Sequence, residues 1–241
     1  MVRALKPGCQ DIVNARYDAL FFDAGHTLLE YVEPSEVGWA NALSGFGGPS
    51  ADALSAAFED VLGERHAPPA EPESLAVHQA EWSGIYRQTR TAAGFRGDTE
   101  AAVQIMWNVW LYHIWAPYPE VASVLTTLRA NGIKLAVVSN WPPTLELTLD
   151  HLNLSQYFNA LVYSLRQGYA KPAAAIFDDA VERVAVSRDR VLHIGDNYES
   201  DILGARAAGL DAALLLRATD TSSNSYRPTL RSLDEVFSLL D

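Results

Sequence analysis

Cysteine is almost absent from this chain of 241 residues, with Cys9 standing alone. One thiol cannot close an intramolecular disulfide or assemble a thiolate metal site, so it reads as an inert side chain suited to a reducing compartment. Lysine is nearly as scarce, and Lys6, Lys134 and Lys171 are the whole set. Acidic residues outnumber basic ones 30 to 18, which gives a net charge of -12 and a pI near 4.9. That balance argues against a nucleic acid or an anionic membrane as partner. No apolar run approaches the roughly 18 residues of a membrane span, and residues 1–16 lack the apolar segment of a signal peptide. A cytoplasmic location is therefore expected. No internal repeat or low-complexity tract is visible.

The hydrophobic content, 49%, is enough for a sizeable core. Its most informative stretch is residues 17–29, where a short apolar run ends in Asp23 and a turn of small residues follows. In open α/β sheets ligands bind beyond the carboxyl ends of the strands, so an acid at that position is placed for chemistry. An ordinary turn or helix-cap aspartate is the alternative for this stretch taken alone.

From residue 31 to 117 the strand-like pattern gives way to a helical insertion. Residues 51–66 space Leu54, Phe58, Val61 and Leu62 at helical intervals, and residues 73–93 do the same with Leu75, Trp82, Ile85 and Tyr86. A proline-rich step at Pro68 and Pro69 separates them. Asp98 is the expected N-cap of a further helix with an apolar face through Val103, Met106, Trp107, Trp110, Leu111 and Ile114. Such a stripe is expected to be the insertion's own core, although an aromatic wall facing a ligand would draw on the same residues. His66, His78 and His113 have no metal-ligand spacing, and structural or surface roles are expected for them.

Beyond Pro119 strands and helices alternate. Strands are expected at 133–138, 160–163, 190–194 and 212–216, with helices at 119–130, 144–152, 173–185, 198–208 and 232–240. A loop is expected at 164–171, and a polar loop at 219–228. Residues 1–16 read as a surface extension. This pattern predicts an α/β fold, a doubly wound parallel sheet built from 1–30 and 118–241, carrying the helical insertion 31–117.

Three of the expected strands end in polar residues: Asp23 with Thr27, Ser139 with Asn140, and Asp196 with Asp201. If the strands are neighbours, these groups meet at one edge together with Lys171. Carboxylates beside one lysine suit a site that holds a hard divalent cation and a phosphoryl group, because magnesium takes oxygen ligands and keeps several waters. A carboxylate can also attack phosphorus and divide hydrolysis into two easier steps. Ser139 and loop N–H groups would then hold phosphoryl oxygens while Lys171 neutralises charge. His193 reads as a hydrogen-bonded core histidine, and Glu199 as a first-turn helix acid.

Taken in order, Asp23-Ala24-Gly25-His26-Thr27, Ser139-Asn140, Lys171-Pro172 and Gly195-Asp196 with Asp201 resemble the four motifs of the haloacid dehalogenase-like superfamily of hydrolases. The resemblance covers residues 17–216. It implies a Rossmann-like core with an inserted helical cap, and Asp23 as nucleophile and magnesium ligand. The carbonyl of Gly25 and the carboxylate of Asp196 complete the protein's share of the metal site, with Asp201 supporting it or acting as a further ligand. Ser139, Asn140, Lys171 and Thr27 are implied for phosphate binding. The implied activity is a Mg2+-dependent phosphatase acting on a small phosphorylated metabolite.

One position departs from the pattern. Phosphatases of this superfamily carry a general acid/base aspartate two residues after the nucleophile, and here that residue is Gly25; the next, usually glycine, is His26. The phosphonate-cleaving branch needs a cap lysine, and residues 31–117 contain none. The metal-free 2-haloacid dehalogenase branch usually has a less acidic fourth motif, whereas Asp196, Glu199 and Asp201 persist here. A phosphate-binding or interaction module with little turnover is the alternative from outside enzymology.

Overall fold

A computed structural model describes residues 15–63, 73–217 and 226–240. In chain order the strands are β1 (Ala19–Phe22), β2 (Leu29–Tyr31), β3 (Trp115–Pro117), β4 (Lys134–Ser139), β5 (Ala160–Tyr163), β6 (Val191–Gly195), β7 (Asp211–Leu215) and β8 (Thr229–Leu230). Six of them form a sheet in the order β5-β4-β1-β6-β7-β8, and every pairing within it is parallel. β2 and β3 make a separate antiparallel pair.

The central strands are buried on both faces, which is why their sequences are nearly continuous apolar runs. With a side-chain period of two, Leu20 and Phe22 enter one core while Ala19 and Phe21 enter the other. The helices α5 (Val121–Ala130) and α6 (Leu145–His151) cover the first face, and α8 (Ala174–Val184) the second. Between α6 and α8, the expected loop at 164–171 contains a short turn of helix, Ser164–Gln167, which we label α7. After β6 a π-helical segment, Tyr198–Leu203, runs into the single turn α9 (Gly204–Ala207), so the helix expected at 198–208 is wound irregularly. The helix expected at 232–240 is a 3₁₀ segment, Leu233–Leu239.

Between β2 and β3 lie α1 (Ser35–Leu43), α2 (Ala51–Leu62), α3 (Leu75–Ala92) and α4 (Thr99–Tyr112). Ser50, Ser74 and Asp98 cap three of them by accepting from the N–H of Ala53, Val77 and Ala101. These helices share a third core, in which Trp39, Tyr86, Met106 and Trp107 are buried and the Trp39 indole donates to the Met106 carbonyl at 3.0 Å. Trp107 and Tyr86 thus pack inside the helical layer, as their spacing predicts. His78 is buried against Glu73, its Nδ1 3.0 Å from a carboxylate oxygen, and His113 is exposed. The hairpin β2-β3 and the two-residue β8 were not expected: each is too short for a period of two to register. Cys9, His66, the Pro68-Pro69 step, most of the extension at 1–16 and most of the polar loop at 219–228 lie outside the described residues. Among those described, no helix is long and apolar enough to cross a membrane.

Glycine packing in the helical layer gives a pair of predictions of opposite sign. A Cβ at Gly38 would stand 2.7 Å from Cγ1 of Val109, where α1 meets α4, whereas one at Gly84 in α3 would meet nothing within 4 Å. Gly38→Ala is expected to cost about 1–3 kcal/mol by overpacking, and Gly84→Ala to add roughly 0.5–1 kcal/mol through helix propensity. Chemical denaturation of the two variants checks both signs.

Candidate active site

β1 lies between β4 and β6, and its last residue, Phe22, is in register with Val137 and Ile194, two residues before the end of β4 and one before the end of β6. The residues that follow therefore emerge side by side: Asp23 after β1, Ser139 at the end of β4, and Asp196 after β6. The loop after Asp23 is tightly closed. Leu28 and Leu29 both donate to the Ala24 carbonyl at 2.9 Å, and His26 donates to Leu29 at 2.7 Å. His26 has φ of 54°, in the left-handed region, which is the physical reason a glycine suits that position.

Four of the expected residues are in direct contact. Asp23 Oδ1 accepts from Ser139 Oγ at 2.8 Å and from Lys171 Nζ at 2.6 Å. Among the described residues neither donor reaches Oδ2, so one carboxylate oxygen is anchored and the other is presented. Lys171 Nζ also donates to Asp201 Oδ1 at 2.5 Å. Asp201 Oδ1 further meets His193 Nε2 at 3.0 Å, and its Oδ2 accepts from the Asn197 N–H at 3.0 Å. With both oxygens engaged, Asp201 serves as the anchor of Lys171. A Cβ on Gly195 would sit 2.2 Å from the Asp201 carboxyl carbon, so only glycine lets that carboxylate approach the strand.

Asn140 and Thr27 are placed differently from the expectation of direct phosphate contact. The Asn140 carboxamide accepts from the Lys171 N–H at 2.8 Å and donates to the Lys171 carbonyl at 3.0 Å, so it locks the lysine's backbone. The Thr27 hydroxyl is buried with no partner among the described residues. Its carbonyl accepts instead from Arg217.

Burial dominates the electrostatics. It pushes the Asp23 carboxyl up, with nearby Asp201 adding to the rise, and Lys171 only partly opposes this. Asp196 is pushed up to about 7 by burial first and then by Asp23 and Asp201. Asp201 moves the other way, because Lys171 and His193 outweigh the effect of burial. His193 is held low, chiefly by burial. Asp23, Asp196 and Asp201 each offer an oxygen within 4.8 Å of the others, with one ammonium among them. An all-oxygen donor set short of positive charge fits a hard divalent cation.

Sequence reasoning missed Trp141, whose only signal was its place directly after Ser139-Asn140. A Cβ at Gly25 would lie 3.5 Å from Cζ3 of this buried indole. Trp141 packs on Trp115 with centroids 4.7 Å apart, and Trp115 meets Trp110 of α4 at 6.2 Å. Trp110, one of the aromatic residues weighed for facing the site, thus reaches it through the edge and tilted contacts of Trp115 and Trp141, and Trp82 stacks on Trp110 behind it.

The raised pKa of Asp196 has a definite sign. A carboxyl whose pKa is higher folded than unfolded adds stability at low pH that is lost as pH rises from about 4 through about 7. In excess chelator, Asp196→Asn is therefore expected to raise Tm at pH 8 and leave it nearly unchanged at pH 4. Thermal melts at the two pH values test this, and equal shifts at both would contradict it.

The whole arrangement has relatives. Residues 17–209 match the family model described as haloacid dehalogenase-like hydrolase. Haloacid dehalogenase-like hydrolase domain-containing protein 3 of Danio rerio is 34% identical over 167 residues, which cover 66% of this chain and 68% of that protein. The pyrimidine 5'-nucleotidase YjjG of Escherichia coli is 37% identical over 131 residues, 53% of this chain and 58% of that protein. The matched segment thus spans little more than half of YjjG. Among solved structures, the 2-haloacid dehalogenase of Pseudomonas syringae superposes with a TM-score of 0.66 at 23% identity, covering 92% of this chain and 97% of that one, a likeness of fold alone. With the family model matched over most of its length, this chain belongs to the haloacid dehalogenase-like hydrolases.

Proposed function

We propose that the chain is a magnesium-dependent phosphomonoester hydrolase that works through an aspartyl-phosphate on Asp23. The observation that carries this reading is the split environment of the Asp23 carboxylate. Ser139 and Lys171 hold Oδ1, which aims Oδ2 as nucleophile. Oδ2 attacks phosphorus, the ester oxygen departs with its electron pair, and water then cleaves the acyl phosphate to regenerate Asp23. Lys171, which keeps one N–H beyond those given to Asp23 and Asp201, also donates toward phosphoryl oxygens as charge moves onto them, while the single Ser139 proton stays on Asp23. Asp23, the Gly25 carbonyl and Asp196 would hold Mg2+, with Asp201 behind them, and the ion would supply charge neutralisation for the phosphoryl group. The four helices between β2 and β3 would act as a cap over a small phosphorylated substrate. The name of the nucleotidase relative agrees with phosphoryl chemistry on small molecules. The dehalogenase alternative shares the fold, but the acidic cluster, with a single ammonium among its carboxylates, favours a site that takes a cation.

Gly25 and Trp141 shape what can leave. Where related phosphatases carry a carboxyl, this site has an apolar indole edge. The neighbouring His26 side chain is exposed, which favours a solvent-facing role over replacement of that carboxyl. A general acid/base contributes typically about 10²- to 10⁴-fold, so leaving groups that need no proton should react best. With Mg2+, aryl and acyl phosphates are expected to turn over well ahead of alkyl phosphates of similar size. His26→Ala should match the wild type, and excess chelator should abolish turnover. Equal rates for alkyl and aryl esters would contradict the assignment of Gly25, and halide release from a 2-haloacid in chelator would move the protein to the dehalogenases.

A further inference from the structure

Arg217 lies two residues beyond the end of β7 and 190 residues from Thr27, yet its guanidinium reaches the end of the Asp23 loop. Nη2 donates to the Thr27 carbonyl, Nη1 donates to Glu120, and the guanidinium carbon stands 3.5 Å from the centroid of the Tyr118 ring. The side chain is 12% exposed. Glu120, just ahead of α5, also accepts from the Leu233 N–H at 3.2 Å, so the guanidinium is tied to the sheet's flanking layer.

The two segments that Arg217 touches are the two that connect the sheet to the helical layer. Thr27 leads out into β2. Tyr118 follows directly on β3 and donates its N–H to the Leu28 carbonyl at 3.1 Å. We propose that Arg217 is a positioning residue, which pins the outgoing and returning segments together and so fixes the loop that carries Asp23 and Gly25. A planar guanidinium does this through one stacked face and two hydrogen-bonding edges at once, which an ammonium cannot do. The kinetic part of this inference rests on the reading of Asp23 as nucleophile; the structural part does not.

Hydrogen exchange and kinetics on Arg217→Ala, Arg217→Lys and Tyr118→Leu test it. Losing a charge-assisted bond from the loop should speed exchange at the His26, Leu28, Leu29 and Tyr118 amides roughly 10- to 100-fold in Arg217→Ala. The Asp23 amide, bonded to Ile194 in the sheet, should keep wild-type protection. Tyr118→Leu should give a smaller change and Arg217→Lys an intermediate one. For an aryl phosphate, kcat should fall by up to about 10²-fold in Arg217→Ala with little change in KM, and added guanidinium should restore part of it. Unchanged loop exchange, or an equal rise at Asp23 and the loop, would overturn the proposal. If the loop responds as expected but the wild type turns over no phosphate ester, the positioning role stands and the phosphatase reading falls.

Discussion

Lys171 carries its ammonium at 2% side-chain exposure between Asp23 at 2.6 Å and Asp201 at 2.5 Å, and the other parts of the site are arranged around that buried charge. An isolated ammonium so deep would lose its proton; two carboxylates outweigh the burial and keep it charged. Removing one partner of a buried pair typically costs about 3–5 kcal/mol, because a charge is left uncompensated. Each neighbour therefore serves the pairing. Asn140 fixes the lysine backbone, Gly195 makes room for Asp201, His193 shares Asp201 Oδ1 with the lysine, and the Asn197 N–H occupies the Oδ2 that would otherwise be left bare.

That arrangement also leaves the site short of positive charge. One lysine faces three carboxylates, and burial first, then the neighbouring carboxylates, raise the pKa of Asp23 and Asp196. A cation and a phosphoryl dianion would bring complementary charges to such a site together, and this links cluster, metal and substrate class in one electrostatic requirement. The aromatic series Trp110, Trp115 and Trp141 supplies the opposite character, so polar and apolar walls meet at Gly25.

Much of this was legible in the sequence because it is written locally. The parallel sheet shows in apolar runs such as 190–194, each ending in a polar residue, and adjacency of β4, β1 and β6 then brings Asp23, Ser139 and Asp196 together. The helical layer shows in its spacing and in the cap Asp98, while the caps Ser50 and Ser74 emerge only in the structure. What stayed hidden depends on distant partners. Nothing near Arg217 announces Thr27, the hairpin β2-β3 joins residues more than eighty positions apart, and Asn140 reads as a phosphate ligand until its carboxamide is seen to be bonded to Lys171. Trp141 carries no signal beyond its place after Ser139-Asn140 until its edge is found 3.5 Å from where a Gly25 Cβ would stand.

The central claim is that Asp23, held through one oxygen by Ser139 and Lys171, is the group that takes the phosphoryl from substrate. Acid quenching during turnover of an aryl phosphate with Mg2+, followed by peptide mapping, measures this directly. The account predicts a phosphoryl adduct on the peptide carrying Asp23, labile to base and absent from Asp23→Asn. An adduct on any other residue, or steady turnover with the adduct never detectable even in single-turnover samples, would contradict it.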